Sequence, residues 1–209
     1  MSPTPRVQAR AAGILYLVTH VTSVGAAAAY AGGAVRVGVT LELALALGCV
    51  GTGVLLWMLL RAAGPARAAT FALLRTLEAA VILAGALPML AAVWLDLGTA
   101  PGTPAAAVHT ASFLLGQGLV ISVNTLVLAW LLWDACAVPR TLAALGVVGG
   151  CLVLASNTLQ LWGLIPLNGP VAAAAAVPVF AFELWLALYL ITVGLREGAD
   201  RHSLTAVGP

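Results

Sequence analysis

Lysine is absent from this chain of 209 residues, and charged side chains of all kinds make up only 8% of it. A soluble domain carries about a quarter of its residues charged, so most of this surface has to face something other than water. The formal net charge of +2 is too small to recruit a nucleic acid through its phosphates. The three cysteines, Cys49, Cys136 and Cys151, show no CxxC spacing, which excludes a zinc ribbon and a disulfide framework. Cys49 and Cys151 fall inside apolar runs, where cysteine acts as a small hydrophobe. A Walker loop, a GxGxxG fingerprint, a GxSxG elbow and an HExxH pair are all missing. No cofactor is implied. The histidines and carboxylates stand on separate segments without ligand-pair spacing, so no metal site is expected.

What the chain has instead is oil. Hydrophobic residues are 62% of it and its mean hydropathy is +1.08. A helix crosses the hydrocarbon core with about 20 apolar residues, all its backbone groups paired internally. Six stretches meet that length, near 11–31, 39–60, 68–95, 105–133, 141–164 and 171–195. Glycine, proline and aspartate punctuate the gaps, among them Gly32-Gly33, Gly64-Pro65 and the segment from Asp96 to Pro104. The reading is an all-α, six-helix membrane bundle filling residues 1–209 as a single integral membrane domain. Arg6 and Arg10 before the first apolar run resemble a secretory signal. The length of the run, and Thr19, His20, Thr22 and Ser23 in its middle, favour a spanning helix. With the N-terminus inside, Arg6, Arg10, Arg61, Arg67, Arg75, Arg140, Arg196 and Arg201 lie on the cytoplasmic side and Arg36 alone outside. That asymmetry places both termini in the cytoplasm. Trp94, Trp133 and Trp162 stand close to helix ends, as interfacial anchors do.

Four segments carry a family resemblance: Ala9-Arg10-Ala11-Ala12-Gly13-Ile14-Leu15-Tyr16-Leu17, Leu73-Leu74-Arg75-Thr76-Leu77-Glu78-Ala79, Val138-Pro139-Arg140-Thr141-Leu142, and Pro178-Val179-Phe180-Ala181-Phe182-Glu183-Leu184-Trp185. In this order, from about residue 8 to residue 196, the chain resembles the bacterial membrane proteins catalogued as domain of unknown function 4386. Leu74 stands where members usually carry an aromatic residue. The resemblance implies a multi-pass protein of the bacterial cytoplasmic membrane and no particular chemistry.

Ionisable groups at mid-bilayer cost at least about 2.5–3.5 kcal/mol on insertion scales, which makes them site candidates. Glu183 lies near the middle of the last span and has no arginine within a turn of it. Glu78 follows Arg75 by three residues, a spacing that pairs them on one helix face. On the fourth span His109, Ser112, Gly116, Gln117 and Asn124 fall within an arc of about 140°. Tyr16, His20 and Ser23 share a face of the first span, and Asn157 and Gln160 a face of the fifth. Glu42 lies in the outer third of the second. Pro88 and Pro178 interrupt the third and sixth spans. The pair Gly146 and Gly150 has the spacing of a close helix contact, and the two halves show no inverted repeat of the kind that marks many transporters.

The expected site takes Glu183, Glu78 and His109 as proton-transferring residues, with Glu42, Asn124, Asn157, Gln160, His20 and Trp185 around a ligand. The function expected from it is an intramembrane pocket for a lipophilic or small ligand, whose sharpest form is an acid-catalysed isomerase or terpene-cyclase-like enzyme on a prenyl-type substrate. A proton-coupled transporter and a non-catalytic membrane partner are the alternatives. The lipid bilayer is the expected partner, no nucleic acid is, and the oligomeric state is not readable.

Overall fold

The computed structural model describes residues 4–196. Six helices follow one another: α1 (Pro5–Ala31), α2 (Val35–Leu60), α3 (Pro65–Trp94), α4 (Pro104–Asp134), α5 (Arg140–Leu161) and α6 (Pro170–Thr192). Each is long and apolar enough to cross a membrane, and no strand occurs among the described residues. The protein is an all-helical, multi-pass membrane protein.

The helices begin and end differently from the apolar runs. α1, α3, α4 and α6 open on a proline, whose missing N–H costs nothing in the first turn. α2 starts at Val35, four residues before its apolar run was expected to begin, because the turn through Gly33 (φ 75°) is tight. α5 stops at Leu161 before Gly163 (φ 66°), and α6 stops at Thr192 before Gly194 (φ 83°). Hydropathy marks the width of the oil; proline and left-handed residues mark the helix.

Consecutive helices pack on one another and α6 returns to α1, so the bundle closes as a ring. Small residues set the spacing. A Cβ on Gly53 would stand 3.0 Å from Cβ of Arg75, so α2 and α3 touch closely there. The Gly146/Gly150 contact lies within the chain: Gly146 meets Phe182 of α6 and Gly150 meets Leu126 of α4.

One end of the ring is packed and the other is loose. Leu56, Leu60, Phe71, Leu128, Leu131, Leu132, Leu142, Phe182, Leu186 and Leu190 form one continuous buried cluster. This half carries the ends where Arg6, Arg10, Arg61, Arg67, Arg140 and Arg196 stand; Arg201 lies outside the described residues. Arg67 pairs with Asp134 and stacks over Trp130, while Arg61 and Arg140 lie over Trp57 and Trp133. Trp94 and Trp162 stand exposed at the opposite end. There α4 widens into π-helix over Leu114–Val120, and α3 and α6 carry their internal prolines.

Candidate functional site

Arg75 and Glu78 lie on α3 three residues apart, and each side chain is 2% exposed. Arg75 donates from a terminal nitrogen to Glu78 Oε2 at 2.9 Å, and from Nε and its other terminal nitrogen to Thr52 Oγ1 at 3.2 Å. Its guanidinium carbon lies 5.4 Å from the Tyr16 ring centre. Asn124 Nδ2 donates to the same Oε2 at 2.6 Å, and the Cys49 thiol approaches Oε1 at 3.8 Å. Both oxygens of Glu78 therefore face donors, the arrangement of an ionised carboxylate held in place. Gly53 supplies the clearance for the Arg75 stem. Glu78, expected as a proton acceptor, is engaged in this network.

A second carboxyl stands across the ring. Glu183 Oε2 lies 3.5 Å from His20 Nε2, with both side chains 11% exposed. His20 Nδ1 lies 2.8 Å from the Tyr16 carbonyl oxygen. A carbonyl only accepts, so Nδ1 carries a hydrogen. That leaves Nε2 facing Glu183 Oε2 across the ring. The Phe180 ring meets His20 edge-on with centres 4.7 Å apart. Glu183 lies about 20 Å along α6 from its first residue and about 14 Å from its last, and His20 is at a matching depth in α1.

These groups border a cavity of about 180 Å³. Its walls take Thr19, His20 and Ser23 from α1, Cys49 from α2, Arg75 and Glu78 from α3, Gln117 from α4, and Val179, Phe180 and Glu183 from α6. Towards the loose end lies a second cavity of about 500 Å³, bordered by Tyr30, His109, Asn157 and Gln160 among others. Gln117 and Ala176 belong to the walls of both. The Gln117 side-chain oxygen accepts from Ser23 Oγ at 2.8 Å, so this amide stands between the two spaces.

A third carboxyl borders the upper space from behind. Tyr30 O–H donates to Glu42 Oε2 at 2.6 Å, and His109 Nε2 lies 2.8 Å from Glu42 Oε1. Glu42 is 4% exposed and touches the cavity through these two partners. Tyr30 reaches it because a Cβ at position 38 would stand 2.8 Å from the tyrosine ring; Gly38 leaves that path open.

The remaining expected residues divide. Asn124 is buried beneath Glu78 and borders neither cavity. Gln160 receives the Asn168 N–H on its side-chain oxygen at 2.7 Å and donates to Asn157 Oδ1 at 3.2 Å. It therefore ties the α5–α6 connection down, beside the upper space. Trp185 is 42% exposed and borders neither cavity. Two residues along a helix turn about 200°, so position 185 leaves the face that carries Glu183 and Trp185 stands on the outer surface. Tyr30, Ser23, Cys49 and Thr52 were not among the expected site residues. Gly38, one turn before Glu42, is the sequence signal that points to Tyr30.

The π-helical turn explains the course of the α4 stripe. A wider turn is a frequent mark of functional positions. Gly118 within it lets the Asn157 amide approach, since a Cβ there would lie 2.6 Å from Asn157 Oδ1. His109, Gln117 and Asn124 consequently serve three different places along one helix: the upper cavity, the divide and the Glu78 network.

Among the described residues no group of three or more metal-ligating side chains converges. Neither a curated protein nor a solved structure matches the chain. The sequence does match one family model over residues 11–194, which spans all six helices from the first turns of α1 to the end of α6, and by it the chain belongs to the family described as Domain of unknown function (DUF4386).

Proposed function

We propose that this protein holds a small lipophilic ligand in the cavity beside His20 and Glu183, and that this pair exchanges a proton with it. The observation that carries the reading is the 3.5 Å contact at mid-depth on the cavity wall. The Tyr16 carbonyl fixes the ring so that Nε2 faces Glu183, where the pair can exchange a proton. A general acid needs such a held proton within reach of the reacting atom. The walls around it are mostly apolar, and an aromatic ring such as Phe180 stabilises a developing cation.

The reaction class this supports is proton-initiated alkene isomerisation or cyclisation of a prenyl-type chain. The pair adds its proton to one alkene carbon, and the adjacent carbon becomes cationic. Loss of a neighbouring C–H proton back to the pair restores a double bond elsewhere; nothing is oxidised or reduced. A transporter needs a path to both faces, whereas the arginine-bearing half is filled by the leucine and phenylalanine cluster. That one-sidedness favours the enzyme reading.

We also assign the arginine-rich end to the cytoplasm, which puts both termini there, on the positive-inside bias of Arg6, Arg10, Arg61, Arg67, Arg140 and Arg196. The bacterial cytoplasmic membrane is the proposed location.

The test is solvent deuterium uptake. Purified protein is incubated in D2O with a panel of C10 to C20 prenyl alkenes and alcohols, and products are read by mass spectrometry. The expected result is deuterium incorporation by wild type, lost by at least tenfold in Glu183→Gln and His20→Gln, with thermal unfolding little changed. Uptake that is absent in wild type, or equal in a folded Glu183→Gln variant, overturns the proposal.

A further inference from the structure

The two carboxyl-bearing spaces share one property that bears on the ligand: among the described residues neither has a free cation. Arg75 is the only arginine in either wall, and Glu78 and Thr52 occupy its guanidinium. The upper space has no arginine at all, and its histidine already faces Glu42. A phosphate or carboxylate placed there would find no arginine to pair with among the described residues. Removing an ion from water without a partner costs several kcal/mol. The upper space does offer hydrogen-bonding groups suited to a neutral molecule: the Thr110 hydroxyl, the Gln117 and Asn157 amides, and the ring nitrogen of His109 that is not turned to Glu42.

The route in is also visible. Val24 is 61% exposed and Phe180 is 47% exposed, yet both border the lower cavity. Ala27 and Ala176 are exposed and border the upper one. These four residues belong to α1 and α6, so both spaces reach the outer surface of the bundle along the same seam. Nearer the arginine-rich end the seam is shut, since a Cβ on Gly13 of α1 would stand 2.6 Å from the Ala187 carbonyl oxygen. The α1–α6 pair is tight below and parted above, at a level where hydrocarbon surrounds it.

We infer that the upper space is a headgroup site for an uncharged single-chain amphiphile, an alcohol or carbonyl compound rather than a prenyl phosphate, which enters sideways from the bilayer between α1 and α6. Its polar head rests among Thr110, His109 and Asn157, and its chain passes Gln117 to lie beside His20 and Glu183. The lower cavity alone, at about 180 Å³, is comparable with an engineered cavity of about 150 Å³ that takes one benzene. It therefore accepts a segment of such a chain while the head stays above. This inference rests on the proposed ligand-holding role of the cavity, and specifies what is held.

Photolabelling tests it. A C15 prenyl alcohol with a diazirine on its chain, and the corresponding monophosphate, are each added to the full protein in neutral phosphatidylcholine vesicles. The alcohol is expected to label peptides of α1 and α6 around residues 20–27 and 172–180, competed by unlabelled alcohol, with the phosphate at least tenfold weaker. Thr110→Val should lower alcohol labelling by about threefold or more without lowering the unfolding temperature appreciably. Ala27→Trp, which fills the seam from an exposed position, should slow labelling. Equal labelling by the phosphate overturns the neutral-head assignment, and labelling spread evenly over the outer surfaces of all six helices overturns the site. If labelling behaves as stated while no deuterium is taken up by wild type, the headgroup site stands and the proton-transfer reading falls.

Discussion

The half of the bundle that bears the arginines and the half that bears the cavities are built from the same six helices, yet they solve opposite problems. Below Tyr16 the ring is filled by leucine and phenylalanine with little polar content. Above it the interior contains three carboxyls, each answered by a different device: Glu78 by an arginine on its own helix, Glu183 by a histidine across the ring, and Glu42 by a tyrosine and a histidine. The first half holds the helices at fixed spacing. The second spends that rigidity on open space and on polar groups that tolerate exchange. Within lipid, where apolar contact between helices gains little over contact with acyl chains, the packed half has to work through close fit, and its substitutions should cost more.

The largest effect should come from breaking the ion pair where the two halves meet. Glu78→Gln leaves Arg75 buried without its counter-charge, a change worth about 3–5 kcal/mol, read as a lowered midpoint in thermal unfolding in detergent. The joint variant Arg75→Met with Glu78→Leu should recover much of that loss; recovery that fails would give the pair a role beyond neutralising itself. Next, Leu132→Ala in the packed half should cost about 2–5 kcal/mol, whereas Val24→Ala on the seam should stay within about 0.5 kcal/mol. Equal costs would erase the contrast between the halves. Gly118→Ala, which drives a methyl into the Asn157 amide, should cost about 1–3 kcal/mol, and unfolding of the purified variant measures it. The smallest change to the fold is a label. Cys136 is exposed in the turn between α4 and α5, so an impermeant maleimide should modify it only from the arginine-rich side of sealed, oriented vesicles. Labelling from the other side reverses the proposed orientation.

How much of this was legible beforehand follows from distance along the chain. The six spans were, because hydrocarbon thickness sets a length that composition alone reveals. The Arg75–Glu78 pair was, because three residues on a helix are neighbours. The His109–Glu42 contact joins residues 67 apart and the His20–Glu183 contact joins α1 to α6; each residue stood out alone, but no local rule couples them. That position 185 turns away from Glu183 to the outer surface follows from the rotation α-helical geometry already contains. The π-helical turn lay beyond reach for another reason. It spans Leu114–Val120, and a constant 100° per residue cannot register it.

The distribution of partners for the three carboxyls has a consequence for how the protein is made. α3 arrives with Glu78 and Arg75 already on one segment, so it can leave the translocation machinery with that pair formed. Glu42 reaches one of its two ligands, Tyr30, in the preceding helix, but waits for α4 to receive His109. Glu183 comes last and needs a histidine that was laid down in the first helix. Assembly of the ring is thus completed when α6 brings Glu183 beside His20, and a ribosome stalled before α6 would leave His20 bordering an unfinished wall.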